Sequence, residues 1–264
     1  MQSVDTYVIP SVDRTIDLLE LLAEETAGLS LADLARRTGF PKSTVFRILA
    51  TLEARQVVVL DLPTRRYQLG HLLWAIGHRY VERSDVYEKA APVMQRLAER
   101  SGETVFLGKL EDGEVIYMRR IESQRSIAIV KKLGQRVPAH STATGRAILA
   151  FLPAAELDGI IEQHGLSAYT ASTVTDAGAL RKHLAQVHAQ GFAVVNGEYN
   201  SELICISAPV FDHTGHSRAS LTLAMPASLA PPPARQRELG LLVRESAFDL
   251  SRELGYLPGR SATL

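Results

Sequence analysis

The stretch Ser30–Arg55, SLADLARRTGFPKSTVFRILATLEAR, limits the possible folds more than any other part of the chain. It predicts two short helices joined by a tight turn. Ser30 is placed to cap the first helix, with Asp33 three residues on to close a capping box. Leu31, Leu34 and Ala35 give that helix one apolar stripe. Gly39 falls where it must end, because glycine enters the left-handed C-terminal conformation without a Cβ clash. Pro41 is expected in the first turn of the next helix, where a missing N–H costs nothing. Val45, Ile48, Leu49 and Leu52 then recur at i, i+3, i+4 and i+7, so they share a buried face. Lys42, Ser43, Thr44, Arg47 and Thr51 are left outside. Hydroxyls with one lysine and one arginine suit phosphates and base edges in a major groove; the plainer reading is a solvated face.

The residues after Arg55 favour the groove. Val57–Leu60 and Tyr67–Leu69 predict two short strands around the turn Asp61–Thr64, a wing beside the second helix. Arg65 and Arg66 stand at its tip, where they would reach phosphates or a minor groove; otherwise they are two surface arginines. From Arg36 to Arg66 the basic residues are Arg36, Arg37, Lys42, Arg47, Arg55, Arg65 and Arg66, opposed only by Glu53 and Asp61. This basic window lies in a chain of zero formal net charge, which argues against a general coat for nucleic acid and for a local patch.

The 264 residues allow one small and one ordinary domain. Residues 1–10 are expected to be unstructured. A helix capped by Ser11 runs to about Glu24, with Val12, Ile16, Leu19 and Leu22 facing inward. His71 to about Arg83 predicts a strongly apolar helix. Its stripe is Leu72, Leu73, Ile76 and Tyr80, widened by Trp74 and Ala75. Such a helix needs a partner: either a second copy, making it a dimerising linker that sets two heads about one DNA turn apart, or its own domain. A helix over Val86–Arg100 (Ala90, Val93, Met94 and Leu97 inward) ends at Gly102. Strands come next at Thr104–Leu110 and Val115–Ile121, turned at Glu111–Glu114, with another expected at Ile127–Lys131. Gly134–Ala139 reads as loop. The segment from His140 to Arg146 opens a helix through Leu152; further helices span Pro153–His164 and Ala179–Gln190, the last ended by Gly191. Strands at Phe192–Asn196, Leu203–Phe211 and Arg218–Met225 and a helix at Ala234–Leu254 close the chain. The second domain is thus α+β, an antiparallel sheet flanked by helices. The expected division is 1–70 for the head, 71–85 for the linker and 86–264 for the α+β domain.

The single cysteine, Cys205, fits a reducing compartment. No apolar run reaches the length of a membrane span and no signal-peptide pattern opens the chain, so a cytoplasmic protein is expected.

In order along the chain, LSLADLARRTGFPKSTVFRILATLE, RRYQLG, SGETVFLGKLEDGEVIYMRRIES, GQRVPAHSTATGRAILAFLP, AYTASTVTD and ICISAPVFD resemble the IclR family of bacterial transcriptional regulators. The resemblance implies an N-terminal winged helix-turn-helix and a C-terminal effector-binding domain with a GAF-like or profilin-like sheet. It implies homodimers or homotetramers on double-stranded operator DNA, and control of catabolic operons, more often by repression, in response to a small metabolite. The DNA-reading residues would be Arg36, Lys42, Ser43, Thr44, Arg47, Thr51, Arg65 and Arg66. The family pocket lies over the sheet, bounded by the HSTATGR loop, an apolar segment near 129–133 and two late strands. Carried over, its residues are Ala143 and Thr144 at a helix opening, Cys205 and Ser207 on one strand, and Thr222 and Ala224 on the next. A helix start suits a carboxylate, and Ser207, Thr222 and Cys205 offer donors; Cys205 also reads as a plain core thiol. Glu198 matches a common family acid, expected either to touch the effector or to cap its loop. Val195 stands where members binding small keto-acids have aspartate, which admits a larger or more apolar organic or aromatic acid. Glu202 replaces a usual small residue.

No GxSxG elbow, P-loop or dinucleotide fingerprint occurs, and no cofactor, metal site or catalytic residue is expected. His140, His164, His183 and His188 are scattered; His183 and His188 are five apart and so off one helical face. A Cys205–His140 nucleophile pair, which the resemblance brings near the pocket, would also need an orienting third group and an oxyanion hole. The leading expectation is therefore a ligand-responsive transcription factor. The alternatives are a small-molecule enzyme with a fused winged-helix head and an interaction module whose winged helix binds protein.

Overall fold

The computed structural model describes residues 8–82, 85–123 and 133–257, with the backbone alone for 78–82 and Asp85. The chain divides into two compact units, Met1–Arg83 and Ser84–Leu264.

The first unit holds α1 (Pro10–Glu24), β1 (Leu29–Ser30), α2 (Leu31–Thr38), α3 (Lys42–Ala54), β2 (Val58–Asp61), β3 (Arg66–Leu69) and α4 (His71–Glu82). The helix-turn-helix forms as its spacing requires. Ser30 Oγ accepts the Asp33 amide at 3.2 Å and donates to Asp33 Oδ2 at 2.7 Å. That hydroxyl, and then the Arg36 charge, hold the Asp33 carboxyl below its ordinary pKa. Gly39 takes φ 72° at the end of α2. Pro41 is the N-cap of α3 rather than a first-turn residue, and its carbonyl accepts from the Thr44 and Val45 amides. Leu34, Ala35, Val45 and Leu49 meet Leu18, Leu22, Leu29, Val58 and Tyr67 in one small core.

Other expectations also differ in this unit. The first helix begins at Pro10 with Ile9 at the cap position and no side-chain cap, so Ser11 is not the cap. Val12 and Ile16 are exposed; the buried positions are Leu18 and Leu22, because the core lies under the C-terminal half of α1. The wing also carries a third strand: β1 pairs antiparallel with β3, giving the order β1-β3-β2. On α4, Leu72 and Leu73 are half-buried while Trp74 and Ile76 are exposed. The Tyr80 side chain lies outside the described residues.

The second unit holds α5 (Asp85–Ser101), β4 (Thr104–Glu111), β5 (Glu114–Ile121), β6 (Arg136–Pro138), α6 (Ala143–Leu149), α7 (Ala154–His164), α8 (Ala177–Gln190), β7 (Ala193–Asn196), β8 (Leu203–Phe211), β9 (Ser217–Pro226) and α9 (Pro233–Glu253). The strands form an antiparallel sheet in the order β6-β5-β4-β9-β8-β7. Asp112 and Gly113, at φ 51° and 76°, close the β4–β5 hairpin with the paired positive φ of a type I′ turn. Residue alternation splits the core in two. Val105, Leu107, Ile204, Ile206, Leu221 and Leu223 pack on α5 and α9. On the opposite face Phe106, Tyr117, Cys205 and Ala224 pack beneath α6 and α8. The α+β class is therefore present, as a layer of helices on each side of the sheet.

Boundaries differ where contacts are non-local. The expected loop Gly134–Ala139 contains β6, which pairs with β5. Helix α6 stops at Leu149, short of Leu152, and a 3-10 turn at Ala227–Leu229 comes after β9. The strand expected at Ile127–Lys131 lies outside the described residues, as do positions 129–132 of the expected pocket wall. Among the described residues no helix is long and apolar enough to cross a membrane.

Candidate functional site

The first unit presents α3 outward. Lys42, Ser43, Arg47 and Thr51 are exposed and Thr44 is half-buried. Thr51 Oγ1 is turned back onto the Arg47 carbonyl at 2.9 Å. Among the described residues no carboxylate pairs with Lys42 or Arg47. On α2 the Arg36 guanidinium meets Asp33 at 2.7 Å but stays largely exposed. The two wing arginines differ. Arg65 stands exposed in the turn with φ 54°. Arg66 is half-buried and donates Nη1 to the Gly28 carbonyl at 2.9 Å, so it ties the wing to the chain before β1. Sequence reading passed over Phe46, which is 54% exposed on α3.

In the second unit a cavity of about 500 Å³ opens over the α6 side of the sheet. Of the residues that the resemblance implies for the effector, Ala143, Val195, Glu198 and Cys205 line it; Thr144, Ser207, Thr222 and Ala224 do not. The reason is chemical. Tyr117 Oη lies 3.3 Å from Thr144 Oγ1, which lies 2.8 Å from Thr222 Oγ1, which lies 2.8 Å from Ser207 Oγ. Ser207 Oγ also donates to the Leu221 carbonyl at 3.0 Å, and Ser220 Oγ to the Thr144 carbonyl at 3.2 Å. These hydroxyls satisfy one another under α6, and Ala224 is packed in the core beneath.

The cavity wall also holds Tyr117, Ser141, Tyr169 and Tyr199, none of which stands out in the sequence. Ser141 sits inside the HSTATGR segment, and the latter two tyrosines sit in AYTASTVTD and the Gly197–Leu203 loop; residue type alone does not separate them from their neighbours. The Tyr169 and Tyr199 rings meet edge to face at 5.1 Å. Ser141 Oγ is the one buried side-chain polar atom without a hydrogen-bond partner among the described residues.

Glu198 has a structural tie. The Arg146 guanidinium grips both its carboxylate oxygens, Nη1 to Oε1 at 2.7 Å, and the pair is almost fully buried. The Val174 amide donates to Glu198 Oε2 at 3.1 Å, and Arg146 Nε to the His140 carbonyl at 2.7 Å. Among the described residues, the acid lining the cavity is therefore neutralised from behind. His140 lies to the side, lining a smaller recess of about 110 Å³. Its Nε2 donates to the Ser167 carbonyl at 3.1 Å, and burial pushes its pKa down. It does not line the cavity with Cys205. Among the described residues no group of His, Cys, Asp and Glu could hold a metal ion.

Residues 11–62 match the sequence model described as the IclR helix-turn-helix domain, and residues 78–252 match that of the bacterial transcriptional regulator IclR C-terminal domain. The chain belongs to the IclR family of bacterial transcriptional regulators. Among IclR relatives it is 33% identical over 258 residues to the HTH-type transcriptional regulator BhcR of Paracoccus denitrificans, covering 98% of this chain and 91% of BhcR. It is 32% identical to the HTH-type transcriptional repressor AllR of Klebsiella pneumoniae, over 94% of this chain and 91% of AllR. The crystal structure of Thermotoga maritima IclR superposes with a TM-score of 0.81 at 27% identity, covering 94% of this chain and 99% of that one. The protein is thus an IclR-family regulator with an N-terminal helix-turn-helix domain and a mixed helix and antiparallel-sheet C-terminal domain.

Proposed function

We propose that this regulator is a repressor of a catabolic operon, released or retained on its operator by a small organic or aromatic acid bound in the 500 Å³ cavity. The observation that carries the effector reading is Ser141. A buried hydroxyl with no partner costs about 1–3 kcal/mol, and here its residue forms part of the wall of a tyrosine-lined space large enough for a small molecule. Ser141 is a donor for a carboxylate or carbonyl oxygen. Val195 and Cys205 supply apolar wall. Glu198, already held by Arg146, shapes the cavity and leaves no net charge to repel an anion. The protein acts as a cytoplasmic binding protein with no reaction of its own.

The DNA half reads through α3 and the wing. Lys42, Ser43, Thr44, Arg47 and Thr51 enter the major groove, with Arg36 and Arg65 on phosphates or the minor groove; Arg66 acts chiefly in holding the wing. The exposed Trp74 and Ile76 of α4 suit a second copy of the chain, which would set two heads on two half-sites. The residue ranges 1–70, 71–85 and 86–264 are the corresponding head, linker and sensor. A gel shift with duplexes from upstream of the protein's own gene, with and without a panel of organic acids, tests both halves. A sequence-selective shift that an acid alters is expected. No selective shift in any condition would remove the DNA reading, and a selective shift indifferent to every acid would remove the effector reading.

A further inference from the structure

The α3 face that the proposed function turns toward DNA carries one side chain that neither phosphate contact nor hydrogen bonding explains. Phe46 is 54% exposed, although the same helix buries Val45 and Leu49 completely. It packs in no described cluster and meets no described ring; the first unit's core closes without it. Single exposed apolar residues are ordinary on protein surfaces, so position is what matters. Phe46 stands one turn from Ser43 and from Ala50 and beside Arg47, all exposed. It is the fifth residue of α3. In a helix-turn-helix the N-terminal part of the second helix faces base edges. Ser43 and Arg47 are equipped for the polar atoms of those edges. An exposed phenyl ring beside them is equipped for the one apolar group in the major groove, the 5-methyl of thymine.

We infer that Phe46 is a base-specificity residue that reads a thymine methyl in each operator half-site, an inference that rests on the DNA reading above. Ser43 and Arg47 then supply hydrogen bonds to one side of it, and Ala50, one turn along, leaves room for the base pair to approach. The ring loses most of its water only when a methyl covers it, so the contact discriminates by burial rather than by charge. Its contribution is accordingly insensitive to salt, unlike that of Lys42 and Arg47.

The test uses the full chain. Duplexes bound by it are selected from a random-sequence pool, and each thymine of the selected site is replaced singly by uracil, which lacks only the methyl. One thymine per half-site is expected to lose about three- to fivefold in affinity on replacement, the loss typical of one buried methyl. In Phe46→Ala, checked for unchanged helical signal and melting temperature, overall binding falls and the thymine–uracil difference at that position vanishes, while other positions respond as before. Measurements at low salt keep the weakened variant in range. If no thymine discriminates, or if Phe46→Ala keeps the discrimination, the inference is wrong while the DNA reading stands. If no duplex is selected at all, both fall together.

Discussion

Ser141 carries an energetic cost that its neighbours avoid. Thr144, Thr222 and Ser207 pair with one another, yet the Ser141 hydroxyl is buried and unsatisfied at the cavity edge. Removing it should therefore not harm the unliganded protein. Ser141→Ala is expected to melt at the same temperature or up to about 3 °C higher, and to respond more weakly to any acid that shifts the wild type. A clear drop in melting temperature would show that the hydroxyl has a structural partner and would undo its assignment to an effector. His140, beside it in sequence, behaves differently. Burial, with the Arg146 charge, lowers its pKa below the ordinary imidazole value near 6.5, against the Ser167 carbonyl and Glu198. The folded state then binds a proton less readily than the unfolded chain. Its contribution is complete above pH 6.5 and drains as pH falls through that value toward the depressed one. Thermal melts from pH 7.5 to 5 should show a steeper loss for the wild type than for His140→Gln, whose amide N–H can still reach the Ser167 carbonyl. Equal slopes would place the titration elsewhere.

At the scale of elements, the cavity exists because the Arg146–Glu198 pair staples three pieces of chain together. Arg146 belongs to α6, Glu198 to the loop after β7, and Val174, bonded to the same carboxylate, to the segment before α8. Thr170 and Thr173 add to the staple from that segment, donating to the Gly197 and Glu198 carbonyls at 2.7 and 2.6 Å. Glu198→Gln strands a guanidinium in a space with almost no water and is expected to cost about 3–5 kcal/mol in urea unfolding. Replacing both members by methionine should cost less than either single change, since no charge is then left unpaired; additive losses would argue against a mutually compensating pair. Sequence alone could not show this staple. Local features were legible: the Ser30 cap, the Gly39 stop and the Asp112–Gly113 turn depend on residues within a few positions. The family resemblance placed Cys205, Ser207, Thr222 and Ala224 at the pocket. It could not say that the hydroxyls would meet each other before meeting a ligand, because that depends on β8–β9 register and on where α6 lands. The same reason hid β1 and β6, whose few residues are strands only through distant partners. On α1 the expected stripe Val12, Ile16, Leu19 and Leu22 held only at its C-terminal end, where Leu22 is buried and Leu19 half-buried; periodicity could not say that the first turns lie off the core.

For the whole molecule, the proposed effector cavity and the proposed DNA face, in separate compact units, matter to one another only if binding at one changes affinity at the other. That change is a coupling free energy, commonly about 1–3 kcal/mol or 5- to 150-fold, and it is reciprocal by thermodynamic necessity. Suppose an acid orders the cavity walls, and this shifts the pairing of α4 helices and the distance between heads. Then the factor by which the acid alters operator affinity must equal the factor by which operator alters acid affinity. Two titrations measure it: acid into the free protein and into the protein saturated with operator duplex, by calorimetry, set against anisotropy of the duplex with and without acid. Equal factors above about five are expected. A factor near one in both directions would separate cavity from DNA altogether, leaving the C-terminal unit as a binding domain that does not report to α3. A charge placed on α4 distinguishes the route. Ile76→Glu should weaken self-association and lower operator affinity, because two half-sites are no longer engaged by one assembly, while acid affinity in the absence of DNA stays within about twofold. If Ile76→Glu leaves both self-association and operator affinity intact, the coupling must run by a path other than paired α4 helices.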